Sequence, residues 1–138
     1  MRVQAVAVDA FLAEALVRRP DEACGLFGGQ PGQIDTFYPL ENMDHSPLTY
    51  RMDPGRILAV LREMERLGES LVGIGHSHPA TVAEPSVTDI RQAFYPQCLY
   101  VIASLRASTP EIRGFWIDQP SVREEPLTVL ADETSPAS

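Results

Sequence analysis

The sequence predicts one mixed α/β domain, α+β in arrangement, with a mixed, mostly antiparallel β-sheet flanked by helices. Three observations lead there. Short runs with strand alternation or continuous apolar character interleave with segments of three-to-four apolar spacing. The 138 residues are the length of one ordinary domain, and no repeat, linker or low-complexity stretch divides them. A hydrophobic fraction of 44% and a charged fraction of 22% suit a globular chain whose core needs no disulfide framework or structural metal. Residues 1–130 read as the domain and residues 131–138, ADETSPAS, as a disordered tail.

The elements follow in order. RVQAVAV (2–8) alternates as a strand does. Asp9 then caps a helix running to about Arg19, with Phe11, Leu12, Ala15 and Leu16 on one face and Pro20 beyond its end. ACGLFGG (23–29) reads as a buried strand and QIDTFYPLEN (33–42) as its hairpin partner, joined through Gly28 to Gly32. NMDHSPLTYRMD (42–53) is a polar loop. Its Asp53 caps a helix with Pro54 at the first position, where the missing N–H costs nothing. Ile57, Leu58, Val60, Leu61, Met64 and Leu67 form that helix's apolar side, and Gly68 stops it. SLVGIGHSH (70–78) is apolar until its end, as a central strand would be. A loop from Pro79 to Pro85 leads to a helix from Ser86 to about Phe94. CLYVIASL (98–105) and EIRGFWID (111–118) are strands joined by RASTP, with Phe115 and Trp116 in the core. VREEPLTVL (122–130) is the last strand, with Pro126 marking an edge or bulge.

A net charge of −8 argues against nucleic acid and anionic membranes, both of which call for a basic footprint. No apolar run is long enough to span a bilayer. The N-terminal apolar stretch is interrupted by Asp9 and Glu14 and is followed by RRPDE, a poor cleavage region, so a cytoplasmic protein is expected. Cys24 and Cys98 lie in apolar runs and read as buried free thiols, with one disulfide left open. Without Cys-x-x-Cys there is no zinc ribbon or redox motif. Oligomeric state stays open.

Chemistry concentrates in GHSHPATVAEPSVTD, Gly75 to Asp89. On a strand, His76 and His78 point to one face and Ser77 to the other, so two imidazoles can reach one ion. Taken alone, this pair reads equally as polar residues where a strand leaves the core. Ser86 and Asp89 match a capping box, which needs no further role. Yet an acid fixed in a helix's first turn can also serve an ion held by the histidines. Two histidines, one carboxylate and an open fourth position form a catalytic rather than a structural zinc arrangement; zinc itself is inferred from the ligand types. His45 is exposed in its loop or lines a groove, and Glu84 faces solvent.

Together, His-x-His, seven residues, Ser, two residues and Asp resemble the signature of the JAMM metalloproteases, the MPN+ domain family, in its small prokaryotic form. Pro79 after His78 fits the same pattern, and EACGLFGG resembles the family's glutamate segment, with Glu22 at the matching position. The order of elements is similar over nearly the whole chain. The resemblance implies an MPN (cytidine-deaminase-like) architecture, with His76, His78 and Asp89 holding one Zn²⁺. It further implies Glu22 as the base acting on a zinc-activated water, and Ser86 as donor to the developing oxyanion. It is the resemblance that selects Glu22 over Glu14, Glu41 or Glu84.

The implied reaction is hydrolysis of the peptide or isopeptide bond after the C-terminal Gly-Gly of a ubiquitin-like protein, here a sulfur carrier or its conjugates as partner. With seven residues between His78 and Ser86 there is no room for the insertions of large chain-recognising members. A Gly-Gly tail could pair along a strand edge near the metal. Two other readings are a non-hydrolytic, zinc-stabilised module that binds a ubiquitin-like protein, and a small-molecule metallohydrolase. A scaffold, however, has no use for a base beside an open metal position.

Overall fold

The structure is a computed structural model that describes residues 1–131. Its elements are β1 (Arg2–Gln4), α1 (Ala5–Arg18), β2 (Cys24–Gln30), β3 (Gln33–Leu40), α2 (Pro54–Arg66), β4 (Ser70–His78), α3 (Val87–Arg91), β5 (Leu99–Ser104), β6 (Glu111–Asp118), β7 (Ser121–Glu125) and β8 (Thr128–Leu130). Eight strands form one sheet in the order β7-β6-β5-β4-β2-β3-β1-β8. Four neighbouring pairs are antiparallel and three parallel, which gives the mixed, mostly antiparallel sheet expected. All but the first residue of the expected tail lies outside the described residues.

The strand alternation sorts side chains to two faces. On one face Leu26, Ile74, Tyr100, Ile102, Phe115 and Ile117 meet α2, which contributes buried Met64 and half-buried Ile57, Val60 and Leu61. On the other, Phe27, Ile34, Phe37, Leu99 and Val101 meet α1 through Ala7 and Phe11. The rings of Phe11, Phe27 and Phe37 lie 5.0–5.3 Å apart. Gly75 makes room for them: a Cβ there would come within 2.6 Å of the Phe27 ring and 3.3 Å of Phe11. At the β2–β3 hairpin, Pro31 and Gly32 (φ 83°) supply the two central residues of a type II turn.

Five local expectations are corrected. The first helix begins at Ala5, with Asp9 inside it and an extended Gln4 that offers no side-chain cap. The stripe Ala7, Phe11 and Ala15, at four-residue spacing, is fully buried, and burying it extends the helix into residues whose alternation alone suggested a strand. Leu16, Leu58 and Leu67 are exposed at the margins of their helices. The β2–β3 hairpin pairs through Gln30 and Gln33, so Gly28 and Gly29 belong to the strand. The third helix stops at Arg91. Tyr95 precedes a proline and is biased away from helix, while the Gln119 amide donates to the carbonyls of Arg91 (3.1 Å) and Ala93 (3.0 Å). The last expected strand is two: β7 pairs with β6, and after Pro126 and Leu127 the chain pairs as β8 with β1, on the opposite edge. A two-residue step between the two edges requires a strongly curled sheet.

Cys24 and Cys98 are buried free thiols. Burial pushes their ionisation up, to about 12 and about 11. Phe115 is buried, and half-buried Trp116 donates to Glu125 at 2.9 Å.

Candidate metal centre

β4 runs antiparallel to β2 with Cys24 opposite His76. One step further, Ser77 N–H donates to Ala23 O (3.0 Å) while Ser77 Oγ accepts from Ala23 N–H (2.8 Å). Ser77 thus ties the two strands together, and His76 and His78 project to the face shared with Ile74 and α2. Continuing the register sets Glu22 opposite His78. A segment 54 residues upstream is thereby brought to the histidines.

Asp89 arrives from the short α3. The capping box is formed: Ser86 Oγ accepts from Asp89 N–H (3.0 Å), and Asp89 Oδ2 accepts from Ser86 N–H (2.9 Å). The same Oδ2 lies 3.1 Å from His76 Nε2 and 3.0 Å from His78 Nε2, and the two nitrogens are 3.1 Å apart. All three residues are buried. Capping and convergence are therefore compatible uses of one carboxylate.

The donor set fits a zinc ion. Two imidazole nitrogens and a carboxylate oxygen form a near-equilateral triangle, small enough for one ion about 2.0–2.1 Å from each. His78 Nδ1 lies 2.7 Å from Val82 O and donates to it, which leaves Nε2 with its lone pair free to bind. Tyr50 lies flat on the His76 ring, at 4.6 Å between centroids and 20° between planes. Among the described residues, two buried side-chain polar atoms have no partner, His76 Nδ1 and Glu22 Oε1.

The electrostatics agree. Burial disfavours the charged form of His76 and holds its pKa below the ordinary value, which suits a neutral ligand. Burial likewise opposes a charge on His78, but Asp89, the Val82 carbonyl and Glu22 outweigh it and raise its pKa. Burial opposes the Asp89 carboxylate too; hydrogen bonds to the two histidines prevail and hold its pKa well below the usual range. Glu22, 3% exposed, is raised from 4.5 to about 8: burial dominates, His78 lowers it and Asp89 raises it. Without a cation nearby it is protonated at neutral pH.

His76, His78 and Asp89 thus meet at one point. Glu22 is buried beside them, and Ser86 sits at the helix start with its hydroxyl hydrogen left to donate. His45 (φ 45°) is exposed, 3.5 Å from Glu41, and is no part of this cluster, but it lines a cavity of about 550 Å³ that Glu22 also lines. Glu84 is exposed and meets Arg113 at 3.4 Å. Sequence reasoning missed three contributors: Tyr50, the Val82 carbonyl and Asn42. The buried Asn42 amide donates to the carbonyls of Glu22 (3.1 Å), Ser46 (3.4 Å) and Thr49 (3.0 Å), and its oxygen accepts from Asp44 (3.0 Å) and Arg51 (3.2 Å). It ties the 42–51 loop to the backbone of Glu22. An aromatic residue in a polar loop was the one available signal for Tyr50; Asn42 gave none.

A family profile described as prokaryotic homologs of the JAB domain matches residues 4–118. The CysO-cysteine peptidase of Mycobacterium tuberculosis is 40% identical over 131 residues, 93% of this chain and 90% of that protein. A probable TtuB-protein conjugate cleaving protease of Thermus thermophilus is 39% identical over 119 residues, 86% of this chain and 75% of its own. Among solved structures, a Desulfitobacterium hafniense protein superposes with a TM-score of 0.88 at 37% identity, covering 96% of this chain and 94% of that one. A JAB1/MPN domain protein of Archaeoglobus fulgidus shares the fold, with a TM-score of 0.61 at 18% identity over 94% of this chain and 99% of its own.

Proposed function

Since the chain belongs to the family of prokaryotic JAB-domain homologs, we propose that it is a cytoplasmic zinc-dependent peptidase or isopeptidase. Its substrate is a ubiquitin-like sulfur-carrier protein or a conjugate of one, cut after the C-terminal Gly-Gly. The observation that carries this reading is the convergence of His76 Nε2, His78 Nε2 and Asp89 Oδ2 at 3.0–3.1 Å beside a buried, unpartnered Glu22 carboxyl. A scaffold would gain nothing from such a carboxyl, which costs stability when ionised. Relatives named as a CysO-cysteine peptidase, a TtuB-conjugate protease and a desampylase support the substrate class.

His76, His78 and Asp89 would hold the ion, with Tyr50 and Val82 fixing the two rings. Bound zinc supplies a Lewis acid that brings the pKa of a coordinated water to about 7. Glu22, once a cation offsets its burial, is an ionised base that takes a proton from the attacking water. The water oxygen bonds to the carbonyl carbon, the C–N bond breaks, and Glu22 returns the proton to the leaving nitrogen. Ser86 donates its hydroxyl hydrogen to the carbonyl oxygen as negative charge develops there.

The test offers zinc-loaded protein a carrier extended past its Gly-Gly and follows product masses, alongside Glu22→Ala and a chelator-treated sample. A carrier ending at Gly-Gly, absent from both controls, is the expected result. An intact carrier in the presence of one zinc per chain would overturn the reading.

A further inference from the structure

We propose that Ser104 is a positioning residue for the metal centre: its hydroxyl holds the Pro79–Pro85 loop so that the Val82 carbonyl stays in place to orient the His78 ring. The inference rests on the peptidase reading only through its metal site. The two histidines are held in different ways. His76 lies against the Tyr50 ring, and its Nδ1 has no hydrogen-bond partner among the described residues. His78 has its Nδ1 bonded to Val82 O at 2.7 Å. Whatever fixes that carbonyl therefore fixes the tautomer and tilt of one ligand.

Ser104 meets the geometric requirements. β4 and β5 are parallel, His78 is level with Ser104, and the two side chains project to the same face. Leu105 N–H donates to His78 O at 3.0 Å. Ser104 is 5% exposed, and its hydroxyl has one hydrogen to give. Thr81 O can only accept, so the hydrogen goes there, while the serine oxygen accepts from Arg106 N–H at 3.3 Å. The Thr81 carbonyl and the Val82 nitrogen share one planar peptide unit. With that plane tethered, only the two backbone torsions of Val82 separate it from the carbonyl that His78 uses. On the far side Glu84 N–H donates to the same Val82 oxygen at 2.9 Å, and Ala83 between them is fully buried.

A second tether reaches the same loop from outside. Arg113 on β6 meets Glu84 at 3.4 Å, with the Glu84 side chain 61% exposed. An ion pair so open to water holds a loop weakly. The Ser104 hydroxyl is buried and committed as both donor and acceptor, so its bond is the firmer of the two.

The test reads zinc affinity and the state of the His78 ring in Ser104→Ala, Ser104→Thr and Arg113→Ala. Ser104→Ala should weaken zinc binding about tenfold in a competition titration, the lower end of what an outer partner of a ligand contributes. In the metal-free protein, ¹⁵N spectra of the histidine rings should show His78 passing from one Nδ1–H tautomer to a mixture. Ser104→Thr keeps the hydroxyl and should keep both properties. Arg113→Ala should stay within about twofold of the unaltered protein in zinc affinity. A Ser104→Ala protein that only melts lower, with zinc affinity and His78 tautomer unchanged, would make Ser104 merely structural and overturn the proposal while the peptidase reading stands. An equal loss of affinity in Arg113→Ala would overturn it as well, by moving the hold on the loop to β6. An unaltered protein that binds no zinc would end both the proposal and the peptidase reading.

Discussion

Replacing Glu22 by glutamine should make the metal-free protein more stable in alkaline solution while abolishing turnover of the zinc-loaded one. Burial raises the carboxyl from 4.5 to about 8. A group whose folded pKa lies above its unfolded one contributes stability that is complete below the unfolded value and is lost as pH rises through the folded value. The window here is pH 4.5 to 8, and at about 1.36 kcal/mol per pH decade the loss approaches 5 kcal/mol. Glutamine has the same shape and no proton to lose. Between pH 5 and pH 8.5 the stability difference should therefore move by about 4 kcal/mol in favour of Glu22→Gln. Urea unfolding of chelator-treated protein and variant at several pH values measures it, and contributions common to both cancel. Zinc-loaded, the variant should lose about 10²–10⁴-fold in kcat, the usual share of a general base. Parallel pH–stability profiles would refute the reasoning, because the carboxyl would then not be desolvated as its burial requires.

Three further outcomes are expected. His76→Ala should weaken zinc binding by at least about 100-fold in a competition titration, since losing a ligand exceeds the loss of an outer partner. Asn42→Ala removes an amide that serves five backbone groups; it should cost about 2–3 kcal/mol in urea unfolding and lower kcat while zinc stoichiometry stays at one. Gly75→Ala drives a methyl into the Phe27 ring and should cost about 1–3 kcal/mol, a fall of roughly 3–10 °C in Tm by calorimetry; an unchanged Tm would mean the aromatic cluster yields more easily than its packing implies.

What the sequence revealed was local. Strand period alone put His76 and His78 on one face, and capping chemistry placed Asp53, Ser86 and Asp89 at helix starts. Glu22 was different: nothing in its neighbourhood distinguishes it from Glu14 or Glu41, and the family pattern had to select it. Its position depends on the β2–β4 register, a pairing across 52 residues between Cys24 and His76 that no local rule encodes. Asn42 was invisible for a related reason, because its partners come from both ends of an irregular loop and from the segment before β2. The start of α1 and the stop of α3 were misplaced where tertiary burial and the distant Gln119 amide override local propensity. The division of the last strand followed from curvature of the entire sheet, to which Pro126 gave only the breaking point.

The hop from β7 to β8 also bears on how the chain is made. Arg2 finds its partner in Thr128, and Val3 in Val129. During synthesis from the N-terminus, the outer side of β1 waits until residues 128–130 have left the ribosome. Until then the outer side of β1 is an unpaired strand edge, the condition that invites pairing with other chains. Thr128–Leu130 act as a latch on β1. A ribosome that stalls, or a protease that clips, just before residue 128 would release a chain with His76, His78 and Asp89 in place and the outer side of β1 unpaired.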